Sequence, residues 1–261
     1  LVNSTFESNT ADDDGGAVYS KETVTIDGCT FNNNLAEGDY GGAVYAETLT
    51  FTSTPSIFKN NQADCWGGAV YVKKLNSAVE NAVFIKNKII EKEAGGGAFF
   101  IDESNVYFYS CVFIGNTATS SSSNGGAVYT NKRNVDITFK GCIFIDNKAK
   151  FEGHDVYSKG NIHISQNWYG TDKPTFDNCF RNPNPSIWHE EYDHVKDNDY
   201  LISEFVKVGQ DDKHVYFGVQ FKSKSGNSFA YPLYIDPKEV WLKFDKDVVI
   251  EDIITKDNLL N

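Results

Sequence analysis

Methionine is absent from the 261 residues, and basic side chains are scarce, with 24 Lys and Arg against 36 Asp and Glu. The formal net charge of −12 argues against nucleic acid as a partner, because phosphate binding needs clustered basic side chains. No apolar run approaches the roughly 20 residues that span a bilayer, so we expect this portion to be soluble. Because the chain begins with Leu1 and has no methionine, we expect it to be a piece of a longer protein.

Cysteine and histidine are too few to define a site. The five cysteines cannot all pair within the chain. We expect Cys29, Cys111 and Cys142 to be small buried thiols, with a Cys111–Cys142 bridge as the alternative. In "HEEYDH" the two histidines lie five residues apart rather than the four of zinc-protease helices, so we predict no zinc site there.

What the chain has in abundance is a repeat. The phrase "GGAVY" occurs four times, and a variant "GGAFF" and a degraded "GHDVY" complete the series. The copies start at Gly15, Gly41, Gly67, Gly96, Gly125 and Gly153, with steps of 26, 26, 29, 29 and 28 residues. A period of this length predicts a stacked repeat architecture.

A second marker, Phe followed three residues later by Asn, runs out of phase with the first. Its copies are Phe6 with Asn9, Phe31 with Asn34, Phe58 with Asn61, Phe84 with Asn87, Phe113 with Asn116, and Phe144 with Asn147. Two positions before each Phe stands a small residue: Ser4, Cys29, Ser56, Ala82, Cys111 and Cys142. Between the markers apolar residues alternate with polar ones, which indicates short strands.

Units of this length cannot bury their own apolar face and must stack. We therefore predict an all-β fold, a parallel β-helix of about six to seven coils over residues 1–170. A Pro-, Asn- and acid-rich capping or linker segment follows at 171–199. Strand patterns resume at 200–261 and predict a small antiparallel β region, which we interpret as a partial, truncated Ig-like domain.

The repeat also predicts which side chains face inward. We expect an interior column of Phe rings, an Asn ladder beside it, and an interior apolar column at Val18, Val44, Val70, Phe99, Val128 and Val156. Alternation then places one aromatic stripe outside, formed by Tyr19, Tyr45, Tyr71, Phe100, Tyr129 and Tyr157. This stripe is our candidate ligand-binding surface, because exposed rings stack on sugar faces or hold a protein partner. The alternative is that the rings only pack against one another.

The two markers together resemble the repeats of chlamydial polymorphic outer-membrane proteins. With the closing "NWYG" (167–170) and the Ig-like pattern that follows, the chain is also similar to adhesin-like surface proteins of methanogenic archaea. This resemblance implies a right-handed β-helix and a secreted parent protein anchored to the cell envelope. It implies an extracellular, cell-surface location and attachment to other cells, host proteins or glycans, with no shared catalytic residues.

The acidic corner at Asp12, Asp13 and Asp14 allows two further hypotheses. Asp13, Asp39 and Asp64 form a candidate carboxylate column that would bind calcium weakly, although solvated turn residues are the simpler interpretation. Parallel β-helices also host polysaccharide lyases and glycoside hydrolases, so a carbohydrate-active enzyme is the alternative function. We expect no catalytic residues and no cofactor other than this possible calcium.

Overall fold

The structure, a computed structural model, describes residues 1–90, 95–120, 122–165, 167, 169 and 180–181, together with the strands 202–210 and 215–222. Parallel strands from successive repeats pair into four sheets, and a separate antiparallel pair lies near the C-terminus. The described residues contain no helix, and hence none long and apolar enough to cross a membrane.

Each sheet collects the same part of every repeat. The FxxN sheet contains β1 (Thr5–Glu7), β4 (Thr30–Asn32), β7 (Ile57–Lys59), β11 (Val83–Ile85), β15 (Val112–Ile114) and β19 (Ile143–Ile145). The short sheet contains β2 (Thr10–Ala11), β5 (Leu35–Ala36), β8 (Gln62–Ala63), β12 (Lys88–Ile89), β16 (Thr117–Ala118) and β20 (Lys148–Ala149). The coils therefore number six, numbered here from the N-terminus.

Two further sheets complete the coil. The GGA sheet contains β3 (Val18–Ile26), β6 (Val44–Phe51), β9 (Val70–Leu75), β13 (Phe99–Ile101), β17 (Val128–Thr130), β21 (Val156–Ser158) and β23 (Phe180–Arg181). The fourth sheet contains β10 (Val79–Glu80), β14 (Val106–Tyr109), β18 (Ile137–Lys140) and β22 (Ile162–Ser165). This arrangement is a parallel β-helix, which confirms the predicted fold class.

The interior is a continuous column of phenylalanine rings. Rings of adjacent coils, from Phe6 to Phe144, lie parallel with centroids 4.7–5.1 Å apart. The predicted interior column is confirmed as well, since Val44, Val70, Phe99, Val128 and Val156 are fully buried and Val18 packs against the same core. Tyr169 stacks on Phe144 at 5.9 Å, and Phe180 meets both rings edge-on, so these two aromatics cover the last ring.

The Asn ladder runs parallel to the Phe column and joins the coils by hydrogen bonds. Asn61 Nδ2 donates to Oδ1 of Asn87 at 3.0 Å and to the carbonyl O of Phe31 at 3.0 Å, and the backbone N–H of Asn61 donates to the same Asn87 Oδ1. The bonds repeat at Asn34, Asn87 and Asn116. Buried polar groups are costly unless they are paired, and the ladder amides from Asn34 to Asn116 are each paired above and below.

The two glycines of each repeat have different structural roles. The first has a positive φ, between 64° and 75° from Gly15 to Gly153, a conformation that glycine adopts without penalty. The second faces the neighbouring coil: a Cβ on Gly42 would lie 2.2 Å from the carbonyl O of Gly68 and 2.3 Å from that of Gln62. The pair is therefore required by a turn and by close contact between coils.

The degraded copy "GHDVY" ends both the series of glycine pairs and the Asn ladder. His154 stands where earlier copies have the second glycine, and its carbonyl O is the atom that a Cβ on Gly126 would meet at 2.1 Å. Asp155 replaces the alanine and is buried, and its Oδ1 accepts from Nδ2 of Asn147 at 2.9 Å. Asp155 thus supplies the acceptor that a further ladder Asn would have supplied.

Beyond the stack, β24 (Ile202–Gln210) and β25 (Val215–Lys222) pair antiparallel, with a register shift between Lys207 and Gly209. This agrees with the antiparallel pairing predicted for these segments. The Ig-like character of 200–261 and the role of 171–199 concern mostly residues outside the described ones, and both stay predictions.

Replacing the second glycine of a repeat should destabilise the stack. For Gly42→Ala we expect a loss of about 3 kcal/mol or more in the free energy of unfolding, since the added methyl group overlaps backbone of the next coil. The matched control is Gly115→Asn, at a turn where Asn33 and Asn60 already adopt φ of 56° and 55°; it should change stability by less than about 0.5 kcal/mol. Urea unfolding followed by circular dichroism measures both, and equal stability of the two variants would contradict the assignment.

An interior rung of the Asn ladder should matter more than its terminal one. In Asn87→Leu the amide of Asn61 and the carbonyl of Phe58 lose partners, and because each buried unpaired group costs about 1–3 kcal/mol, we expect a loss of at least about 3 kcal/mol. Asn9→Leu is the control, since Asn9 is exposed and should cost clearly less. Thermal melting of both variants tests this ordering.

Candidate functional site

The predicted aromatic stripe exists, but it is not exposed. Its six rings stack with centroids 5.0–5.6 Å apart, in a cluster separate from the Phe core. The exposed fractions are 51% for Tyr19, 8% for Tyr45, 4% for Tyr71, 0% for Phe100, 9% for Tyr129 and 8% for Tyr157. The expectation of an exposed surface is therefore wrong for every ring except Tyr19.

A second layer of aromatic rings explains this burial. Tyr40 stacks on Tyr71 at 4.8 Å and on Trp66 at 5.2 Å, and Trp66 stacks on Phe100 at 4.8 Å. Both residues directly precede a glycine pair, where the loop turns back over the GGA sheet. Further along, the ring of Tyr129 occupies the space above Gly95, where a Cβ would lie 2.5 Å from the ring. Sequence reasoning missed this layer, although the shared position before "GG" is visible.

Burial changes the acidity of the stripe phenols. Desolvation raises the pKa of Tyr129 to about 12 and moves the pKa of Tyr71 higher still. The pKa values of Tyr45 and Tyr157 rise for the same reason. The stripe is thus a neutral packing layer at physiological pH.

Charged side chains beside the stripe pair across neighbouring coils. Lys73 Nζ lies 2.5 Å from Glu47 Oε1, and Lys159 Nζ donates to Asn131 Oδ1 at 2.5 Å. Two longer ion pairs, Lys132 with Asp102 at 3.7 Å and Arg181 with Glu152 at 3.2 Å, follow the same pattern. The bond to Glu47 raises the pKa of Lys73. These charges link one coil to the next.

The acidic corner brings the proposed calcium ligands into neighbouring coils. Asp13 and Asp39 both lie close enough to Asp14 to raise its pKa, after the larger effect of burial. In the third coil, the backbone N–H of Cys65 donates to the carbonyl O of Asp39 at 2.9 Å. Asp64 therefore lies beside Asp39 along the backbone, and the calcium column stays a prediction.

Metal-ligand side chains form no larger cluster in the part of the chain that the structure describes. There, no group of three or more His, Cys, Asp or Glu side chains has the geometry to hold a metal ion. The histidines of "HEEYDH" lie outside the described residues. Cys29, Cys111 and Cys142 are buried free thiols, as expected for the small-residue position, and burial raises the pKa of Cys111.

The outward face of the fourth sheet carries an aromatic pair, exposed Tyr107 and half-buried Tyr109, that sequence reasoning also missed. Tyr107 is 45% exposed and stacks with Tyr109 at 6.1 Å. In register with them on β18 are Thr138 and Lys140, and on β22 His163 and Ser165. The alternation in "VYFY", with Val106 and Phe108 fully inside, was the signal for this face.

The comparisons with known proteins agree with this architecture. A family model described as "Right handed beta helix region" matches residues 1–169. The chain therefore belongs to the right-handed β-helix family. Searches of curated proteins and of solved structures each found no significant match to the chain.

The buried phenols should make the protein sensitive to alkali. Folded Tyr129 keeps its proton to about pH 12, whereas an unfolded tyrosine loses it near pH 10, so between these values the unfolded state binds fewer protons and stability falls as pH rises. We expect unfolding free energies to change little between about pH 7 and 9 and to decrease between about pH 10 and 12. In Tyr129→Phe this decrease should be smaller, and urea titrations at pH 9 and 11 measure the difference. An unchanged slope would contradict the assignment.

Proposed function

We propose that this chain is a non-enzymatic cell-surface adhesin fragment, a rigid β-helix that displays flat faces to other cells, host proteins or glycans. The observation that carries the proposal is the fourth-sheet face. Tyr107 and Tyr109 offer aromatic surface, and Thr138 and Lys140 stand beside them in register. Rings flanked by hydroxyl and ammonium donors suit the faces and hydroxyls of sugars, as well as polar protein surfaces.

Two further features support an adhesin. Charged side chains that border the aromatic stripe form ion pairs between neighbouring coils, as Glu47 does with Lys73. These pairs hold the coils together and favour a rigid stack. The resemblance to archaeal and chlamydial surface proteins supports an extracellular location on a parent anchored to the cell envelope. Repetition along the stack would let several weak contacts act together.

A carbohydrate-active enzyme is the second candidate, and the acidic corner favours it. Asp14 has a raised pKa and lies near Asp13 and Asp39, and glycosidases use two carboxyl groups, of which the acid has a raised pKa. Polysaccharide hydrolysis or lysis that disappears in Asp14→Asn would establish this function in place of the first. Cell binding without turnover of any polysaccharide supports the adhesin.

The adhesin proposal predicts that the fourth-sheet rings carry binding. In Tyr107→Ser with Tyr109→Ser, affinity on a glycan array or for whole cells should fall, since an aromatic contact contributes about 0.5–1.5 kcal/mol, or about 2- to 13-fold per ring. Phe151→Ser is the control, because Phe151 is 60% exposed but belongs to a loop before the GGA sheet. Unchanged binding and unchanged melting in the double variant would refute the site.

A further inference from the structure

Three of the five cysteines occupy one position of the repeat, two residues before the Phe of the FxxN marker. Two of these three are neighbours in the stack, because Val112 of coil five is in register with Ile143 of coil six. The residues that precede them, Cys111 and Cys142, therefore lie at the same position of adjacent coils. The backbone N–H of Ile143 donates to the carbonyl O of Cys111 at 2.8 Å, which fixes this alignment.

Both cysteine side chains point into the interior, and their thiols are in contact. Cys111 is 0% and Cys142 is 1% exposed, and both belong to the Phe core. The Sγ of Cys142 donates to the carbonyl O of Phe108 at 3.4 Å. Because Phe108 stands three residues before Cys111 in the chain, the thiol of Cys142 leans toward the level of Cys111. The two thiols are also hydrogen-bond partners of each other.

The spacing of this pair suits a disulfide. Residues in register on adjacent strands have Cα atoms about 4.8 Å apart, and disulfides join Cα atoms separated by about 4.4–6.8 Å. Cys29 has no such neighbour, because Ser4 and Ser56 hold this position in the coils on either side, and the N–H of Cys29 donates to Ser56 Oγ. Cys65 packs in a different cluster. Among the described cysteines, the geometry therefore favours one pair.

We propose that Cys111 and Cys142 close into a disulfide that locks coil six onto coil five when the chain folds in the presence of a small-molecule disulfide such as oxidised glutathione. The thiolate of one cysteine attacks a sulfur of the oxidant and displaces one glutathione thiolate. The thiolate of the other cysteine then attacks the protein sulfur of this mixed disulfide and releases the second. The two protein thiols lose two protons and two electrons, and the oxidant becomes two thiols.

The exchange precedes the packing of the last coil. In the folded chain neither thiol reaches solvent, and burial together with the contact to Cys142 raises the pKa of Cys111. Few thiolates are then available for attack. The same burial protects the finished bond from reducing agents. The disulfide ties the end of the stack together and does not involve the fourth-sheet face, so this inference is independent of the adhesin proposal.

Peptide mapping of the refolded chain identifies the pair directly. Reduced protein is refolded in a mixture of oxidised and reduced glutathione, quenched with acid and digested without reduction. We expect a peptide joined through Cys111 and Cys142 and an intact mass about 2 Da below that of the reduced chain. Of the five cysteines, three should react with a thiol reagent in denaturant. Five reactive thiols, or a bond to Cys29 or Cys65, would overturn the proposal.

Oxidant added to protein that is already folded and reduced tests the order of events. Because both thiols are buried, we expect the bond to form at least about ten-fold more slowly than during refolding. The rate should rise when urea opens the last coil. Oxidation of the folded protein as fast as that of the refolding chain would overturn the folding-time step.

Alanine variants test whether this pair accounts for the gain in stability. Alanine is accepted at the position, since Ala82 holds it in coil four. Oxidation of the unaltered chain should increase its folding equilibrium constant at least about 30-fold, as measured by urea unfolding. In Cys142→Ala the oxidised and reduced conditions should give the same midpoint, whereas the matched control Cys29→Ala should keep the difference. A difference that persists in Cys142→Ala, or that disappears in Cys29→Ala, would overturn the proposal.

Discussion

The stack depends on one constraint: successive coils lie about 4.8 Å apart, so every side chain must fit against the residue at the same position one coil above. Flat rings meet this condition by stacking, which produces the Phe column inside and the Tyr column outside. Amides meet it by donating upward and accepting from below, which produces the Asn ladder. Where a side chain cannot fit, as at Gly42, only hydrogen is tolerated. This constraint explains why the same residue types recur at the same position of each repeat.

The same constraint explains how the stack ends. The GGA corner stops repeating once His154 replaces a glycine, and the ladder stops once Asp155 supplies the last acceptor. Tyr169 and Phe180 then cover the final Phe ring. An exposed sheet edge invites pairing with other chains, and these substitutions mark the end of the coils at 153–181 without leaving the Phe column open.

We expect binding to use the sheet faces that remain accessible to solvent. The GGA sheet is covered by its own aromatic layer and by paired charges, and the FxxN sheet is aliphatic and buried in its last three coils. The fourth sheet, with Tyr107 outermost, is the face on which rings and hydrogen-bond donors stay accessible. A rigid β-helix with such a face suits recognition of a surface, which is why we propose an adhesin, and the Asp14 corner is the test of an enzyme.

The sequence alone determined the period, the parallel β-helix, the inward Phe, Val and Asn columns and the position of the buried cysteines, because each is a local choice repeated at a fixed step. It did not determine exposure. That Tyr45 and Tyr71 lie under Tyr40 and Trp66 depends on how loops of unequal length fold back over the sheet. Only the tertiary structure decides this, because a loop one residue longer shifts which side chains meet while leaving the repeat on either side unchanged.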